Sequence, residues 1–262
     1  MNELKTLVNY YNDMQKMRMS FDNRIKLKKD GTQQKVTEDY AISEGADSFF
    51  NDQRSLFVNA EKEIEKKIKK ELKKYDIYNC FLKDVKGLGW TMASIIIASY
   101  DIHKATTVSK MWQYTGYNPM MVRGTKRIKD EKGNYSFIKT DTMVRGDKLT
   151  PGFVSPFNKW LRTKMFVLAE CFIKSKSPYR EFYDNMKQRL SNSEQMTKEV
   201  GKGGKIKECM WKDCKKNHIH YASIRYMMKM FLRDLYSVWR TIEGLPVRVP
   251  YEEEYLGKKH SA

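Results

Sequence analysis

The chain has 262 residues, with 50 Lys and Arg against 32 Asp and Glu, a formal net charge of +18. That excess is far beyond what solubility needs and implies a polyanionic partner, while the lack of any run of about 18 apolar residues argues against a membrane-spanning helix. Four cysteines are too few for a disulfide scaffold, and Leu4, Leu7 and Val8 are too interrupted by polar residues to form a signal peptide. The expected setting is therefore a reducing cytoplasm, with the thiols free or metal-bound.

From the N-terminus, Leu4, Leu7, Tyr11, Met14, Arg18, Phe21 and Ile25 recur at alternating three- and four-residue steps, the seam of a coiled coil with Arg18 as its polar member. Lys28-Lys29-Asp30-Gly31-Thr32 breaks the period, and polar residues continue to about Asp47. A second helix is expected from Ser48 to Tyr75, with Phe57, Ile64, Ile68 and Leu72 on one face and Glu65–Lys69 supporting the other. The first seam needs a partner: either this second helix folded back antiparallel, or the same helix of a second chain in a homodimer. The Lys-rich run from Lys62 to Lys74 reads equally as a solvated face or as a phosphate contact.

Val85-Lys86-Gly87-Leu88-Gly89-Trp90-Thr91-Met92-Ala93-Ser94 is the most informative stretch. Two glycines around one apolar residue, between two apolar runs, suit a helix-hairpin-helix whose backbone amides sit against phosphate. Glycine allows positive φ and close approach, and the following helix offers a positive dipole end to an anion. Lys83, Lys86, Gly87, Gly89 and Thr91 are its candidate contacts. A plain turn between core helices would use the same pattern.

Beyond it, Trp90 to Ser99 is nearly continuous apolar helix, and Ser109 to Tyr117 a short one ended by Gly116 and Pro119. Asp130-Glu131-Lys132-Gly133-Asn134 is a turn between Arg127-Ile128-Lys129 and Tyr135-Ser136-Phe137-Ile138-Lys139, so a basic β-hairpin is expected there. Arg123, Lys126, Arg127 and Lys129 join the candidate nucleic-acid contacts, interleaved with aromatic residues. Pro156 is placed in the first turn of a long helix through Lys174 whose Lys159 and Arg162 complete the set. Pro178 opens another helix through Leu190, Gly201, Gly203 and Gly204 mark a flexible loop, and the last large helix is expected from Tyr221 to Glu243 before an extended tail.

In this order the coiled-coil segment, the Val85–Ala93 hairpin, the Trp112-x-Tyr114-x-Gly116-x-x-Pro119 box and Asn158-Lys159-Trp160-Leu161-Arg162 resemble the C-terminal half of insertion sequence 110 family transposases. The terminal Ala222–Arg240 helix, with Arg225, Lys229 and Leu232, is similar to the last helix of that domain. The resemblance implies a DNA-binding platform, and in that family a structured RNA guide held against the coiled coil and C-terminal domain. It also implies two catalytic parts, an RNase-H-like domain with four acidic metal ligands and a serine in a Ser-Gly pair after the box proline. This chain starts at the coiled coil, and after Pro119 it reads Met120-Met121-Val122-Arg123-Gly124-Thr125, without serine. Thr125 is the sole substitute hydroxyl, and no His or carboxylate lies near it in sequence to activate it.

The expected fold is mainly α: a coiled-coil helical hairpin over residues 1–78, a helix-hairpin-helix domain with a small β-hairpin insertion over 79–250, and a tail over 251–262. The expected function is DNA binding without autonomous strand cleavage, with structured DNA such as junctions or bent ends preferred. An active recombinase using Thr125, with metal ligands from an acidic partner protein, and a structured-RNA binder are the alternatives. A mobile element or virus is a reasonable source, and association with the nucleoid follows from the charge. No cofactor is required, but Cys209, Cys214, His218 and His220 fall as C-x4-C-x3-H-x-H and can complete a structural zinc shell; unliganded thiols and surface histidines are the simpler reading. Gly201-Lys202-Gly203-Gly204-Lys205 lacks the preceding apolar strand of a nucleotide-binding loop.

Overall fold

A computed structural model describes residues 3–25, 47–130, 133–200 and 206–248. The expected break at Lys28–Thr32, the polar stretch up to Asp47, the loop containing Gly201, Gly203 and Gly204, and the tail 251–262 lie outside the described residues. The architecture is mainly α with two small antiparallel β-hairpins. Among the described residues, no helix is long and apolar enough to cross a membrane. The chain divides into two compact units, residues 1–79 with 93–99, and residues 80–92 with 100–262.

The first unit is built on α1 (Glu3–Ile25) and α2 (Asp47–Leu72), followed by the short α3 (Asp76–Cys80). Leu4 of α1 and Ile64, Ile68 and Leu72 of α2 are buried as periodicity marks; along α1 the buried line continues through Val8 and Asn12, outside the expected seam, while Leu7, Tyr11, Met14 and Phe21 are half-buried. Arg18 is no defect in the seam. Its Nε donates to Glu61 and its Nη1 to Asp22, both at 2.7 Å, while Arg54 Nε donates to the other Asp22 oxygen at 2.5 Å. Phe21 packs its ring against Phe50 and Phe57. Since Arg18 meets Glu61 and Asp22 meets Arg54, the two helices run antiparallel. Lys66, Lys69 and Lys74 pair with Glu63, Glu65 and Glu71 on their own surface, as a solvated face does.

The second unit carries the hairpin, α5 (Val108–Thr115), the ribbon β1 (Met121–Lys129) and β2 (Tyr135–Arg145), α6 (Lys159–Ser175), α7 (Arg180–Ser191), the hairpin β3 (Met196–Val200) and β4 (Ile206–Met210), and α8 (Lys216–Ile242). The remaining helix, α4 (Trp90–Ser99), enters this unit through its first three residues. Gly116 ends α5 in the left-handed region with φ of 81°. Its N–H bonds the Gln113 carbonyl and the Tyr117 N–H reaches back to Trp112, a Schellman cap. A Cβ there would also come within 2.7 Å of the Phe157 ring, so this position requires glycine twice over.

Two helix starts and one hairpin depart most from expectation. Pro156 precedes α6, which is capped by Asn158, whose side chain accepts from the Leu161 N–H at 3.0 Å. The last helix starts at Lys216 rather than Tyr221, because Ile219, Ala222 and Ser223 are already buried at helical spacing. The β3–β4 hairpin was not expected. A strand does precede the Gly201 segment, but it is Met-Thr-Lys-Glu-Val and turns back antiparallel instead of opening a helix, which is not a nucleotide-binding loop.

Helix α8 is the spine of this unit. Phe231, fully buried, contacts Phe172 of α6 and Tyr179 edge-on, both at 5.3 Å, and stacks with Phe81 at 6.4 Å. Further along, buried Arg240 donates to the carbonyls of Ile102, Ala105 and Pro246, and the Tyr236 hydroxyl donates to Thr106. The single ring of Phe231 thus joins the approach to the hairpin, α6 and α7. Phe231→Ala should lower unfolding free energy by about 3–5 kcal/mol, read from the midpoint of a urea titration at unchanged slope.

Candidate nucleic-acid interface

A 3₁₀ turn at Leu82–Asp84 leads into the Val85–Gly89 bend, where the Leu88 N–H closes a turn onto the Val85 carbonyl at 3.0 Å. Leu88 is buried and anchors the bend. Gly87 has φ of 91°, and a Cβ there would overlap Ser175 Oγ and lie 3.2 Å from the Cys171 carbonyl, so its side is closed by α6. Gly89 is exposed, and a Cβ there would meet nothing within 4 Å. Lys83 and Lys86 precede this open corner as exposed cations, and Thr91 sits half-buried in the first turn of α4. The bend therefore offers one glycine to a ligand and commits the other to packing.

The β1–β2 ribbon is longer than the expected hairpin and largely exposed on both strands. Arg123, Lys126, Arg127 and Lys129 lie along β1, all exposed. Arg127 stacks 3.4 Å above the Tyr135 ring and Lys126 lies 5.4 Å from that of Phe153. Phe137 and Ile138 are also exposed, an apolar load on a free ribbon. The register shifts at Gly124: Arg123 faces Met143 but Thr125 faces Lys139. Gly124 is buried because the Phe153 ring occupies the space of a side chain. Thr125 is half-buried in this ladder, with its carbonyl accepting from the Val154 N–H at 2.7 Å.

The structure assembles a third feature that local sequence does not show. Arg145 at the end of β2 grips Asp147 with two 2.9 Å hydrogen bonds. Arg162 of α6 lies over the Phe157 ring and donates to the Asp147 main-chain carbonyl at 2.6 Å. Arg225 of α8 stands in the field of Asp147, Arg162, Arg145 and Tyr117. Burial holds its guanidinium below its ordinary range; Asp147 pulls it back up, while Arg162 and Arg145 repel it. Among the described residues, neither Arg162 nor Arg225 has an ion-pair partner, and Arg225 makes no hydrogen bond. The Tyr117 hydroxyl and Gln113 Oε1 beside them are buried without partners, and burial pushes the Tyr117 phenol up. Three guanidiniums thus share one carboxylate beneath the Gly116–Pro119 box.

Lys159 opens α6 as an exposed residue, whereas Arg162, expected as a simple backbone contact, belongs to this cluster. Arg225 and Asp147 carry no local signal of their role, since the chain brings together positions from 113 to 225. The four expected zinc ligands separate. Cys209 and Cys214 lie 2.8 Å apart through their sulfurs, and His218 stacks on Trp211. His220 instead bonds the Tyr183 hydroxyl at 2.7 Å and faces Glu170 at 3.4 Å. Residues two apart on a helix differ by about 200° in direction, which sends the rings to opposite sides. Glu199, not singled out by sequence, joins the cysteine pair.

No family model and no curated protein matches this chain.

An incompletely neutralised cation of this kind costs stability while no anion is bound. Arg225→Met should therefore leave the chain as stable or up to about 3 kcal/mol more stable in urea unfolding, whereas Asp147→Asn should destabilise it by about 1–3 kcal/mol. Marked destabilisation by Arg225→Met would show that Arg225 is already satisfied within the fold.

Proposed function

We propose that this chain binds DNA through the phosphate backbone, as a relative of insertion-sequence transposases that holds structured DNA without cutting it alone. The observation that carries this reading is the Arg145–Arg162–Arg225 cluster, in which three guanidiniums share the single Asp147 carboxylate and half-buried Arg225 makes no ion pair or hydrogen bond of its own among the described residues. A phosphate supplies the missing charge and the acceptor oxygens that guanidinium groups pair with best. The basic ribbon supports it, since a two-stranded ribbon fits a major groove and four cations line β1. The open Gly89 corner, preceded by the exposed Lys83 and Lys86, supports it as a second backbone contact.

Strand cleavage needs an activated nucleophile, and Thr125 is a poor candidate: it sits in a paired β-ladder opposite Lys139, with no base beside it in sequence. The chain's role in this reading is to grip and position.

Fluorescence anisotropy with the full chain tests the reading against duplex DNA, a four-way junction and a structured RNA at several salt concentrations. Binding should be tight in dilute buffer and fall steeply with salt, with the junction preferred over duplex. The Lys126→Ala/Arg127→Ala pair should reduce the slope of log affinity against log salt by about 2, and Arg225→Met should weaken binding without loss of stability. Absence of binding to either DNA in dilute buffer sinks the proposal, and tighter binding to the RNA reassigns the partner.

A further inference from the structure

We infer that Cys209, Cys214, Glu199 and His218 form a structural zinc site that clasps the β3–β4 hairpin to the first turn of α8. This is independent of nucleic-acid binding and replaces His220 with Glu199 in the ligand set that cysteine and histidine spacing suggests.

The donors converge from three elements. Glu199 comes from β3, Cys209 from β4, and Cys214 from the turn before α8; one ligand atom from each lies within 4.8 Å of the other two, and all three residues are buried. Glu199 accepts one hydrogen bond, from the Lys215 N–H at 3.1 Å, and has no ion pair among the described residues. A buried carboxylate held by one main-chain donor is short of positive charge. His218, on the first turn of α8, has a buried Nε2 with no hydrogen-bond partner among the described residues, and Glu199 is near enough for its charge to act on both His218 and Cys214. The His218 nitrogens do not lie within 4.8 Å of all three other donors, so its ring must turn in to complete the set. Leu190, Ile219, Ala222, Met186 and Trp211 wrap the thiols in an apolar shell.

Two thiols, an imidazole nitrogen and a carboxylate are the donors of a closed tetrahedral zinc site, and the soft sulfurs select against calcium and magnesium. Binding releases the two thiol protons to solvent, leaving two thiolates, one carboxylate and a neutral imidazole around a divalent ion. The sulfurs, now 2.8 Å apart, must open to about 3.8 Å, the edge of a tetrahedron with bonds of about 2.3 Å. A disulfide is the competing use of the pair. It would consume the sulfurs while leaving the Glu199 carboxylate with its one main-chain donor and His218 Nε2 without a partner among the described residues; a metal would engage the three converging donors directly and take His218 as its fourth.

The test uses the full chain, purified without a histidine tag. Metal content is measured by mass spectrometry, and after chelator treatment cobalt is titrated in while thiolate-to-cobalt charge transfer is followed by absorption. The expected result is one zinc per chain and a charge-transfer band that Cys209→Ser and Cys214→Ser abolish. Glu199→Gln and His218→Gln should weaken cobalt binding by roughly tenfold or more, and His220→Gln should leave it unchanged. A wild-type chain that holds no zinc, gives no band with cobalt and yields either two free thiols or a disulfide overturns the proposal. Loss of cobalt binding in His220→Gln equal to that in His218→Gln overturns the ligand set. Both readings of wild-type protein stand whether or not a variant folds, and neither depends on DNA binding.

Discussion

The ring of Phe231 is the contact on which the second unit depends. It is met by Phe81 from the approach to the glycine bend, Phe172 from α6 and Tyr179 from the start of α7. Aromatic rings prefer offset or edge-on approach, so such a cluster constrains the angle as well as the separation of the elements it joins. The bend is placed through Phe81 and by the closure of Gly87 against α6, and the guanidinium cluster by the same helices further along. Trp112 is tied to α8 by its Nε1 bond to the Lys229 carbonyl, with the Lys229 ammonium 4.3 Å from the ring. Candidate ligand contacts are therefore carried on rigid helices and one ribbon, the arrangement that preorganises a charged surface.

Much of the fold was legible because it follows short-range rules. The seam of α1, the stripe of α2, the Gly116 stop and the turn at Gly133 are each dictated by residues within a few positions of one another. The glycine bend was legible for the same reason, although only packing reveals that Gly87 is enclosed and Gly89 open. What escaped was long-range or easily overwritten. The β3–β4 hairpin is polar and the sequence between its strands is glycine-rich, so its composition reads as loop. Arg225 becomes significant only when α8 is laid beside Asp147 and Arg162. His220 is equal to His218 in sequence, and the difference between them is the Tyr183 hydroxyl waiting on α7.

Charge is handled in two ways along this chain. In the first unit Lys66 and Lys69 of α2, and Lys74 just beyond it, are each paired with a glutamate one turn away, as on a solvated face. In the second unit the ribbon and the arginine cluster keep their charge, and Arg225 keeps it at a loss of solvation. On the proposed reading, local stability in the second unit is set against readiness for an anion, a compromise that folds tolerate at binding sites.

The Arg18–Glu61 and Asp22–Arg54 pairs act as a lock on vertical alignment, since sliding either helix by a turn would strand an ion in an apolar stripe. The lock specifies height but is blind to covalent connectivity. Two chains that traded their first helices would reproduce each of these bridges and the Phe21 packing, so reciprocal exchange would carry no enthalpic penalty in the seam and would rise with protein concentration.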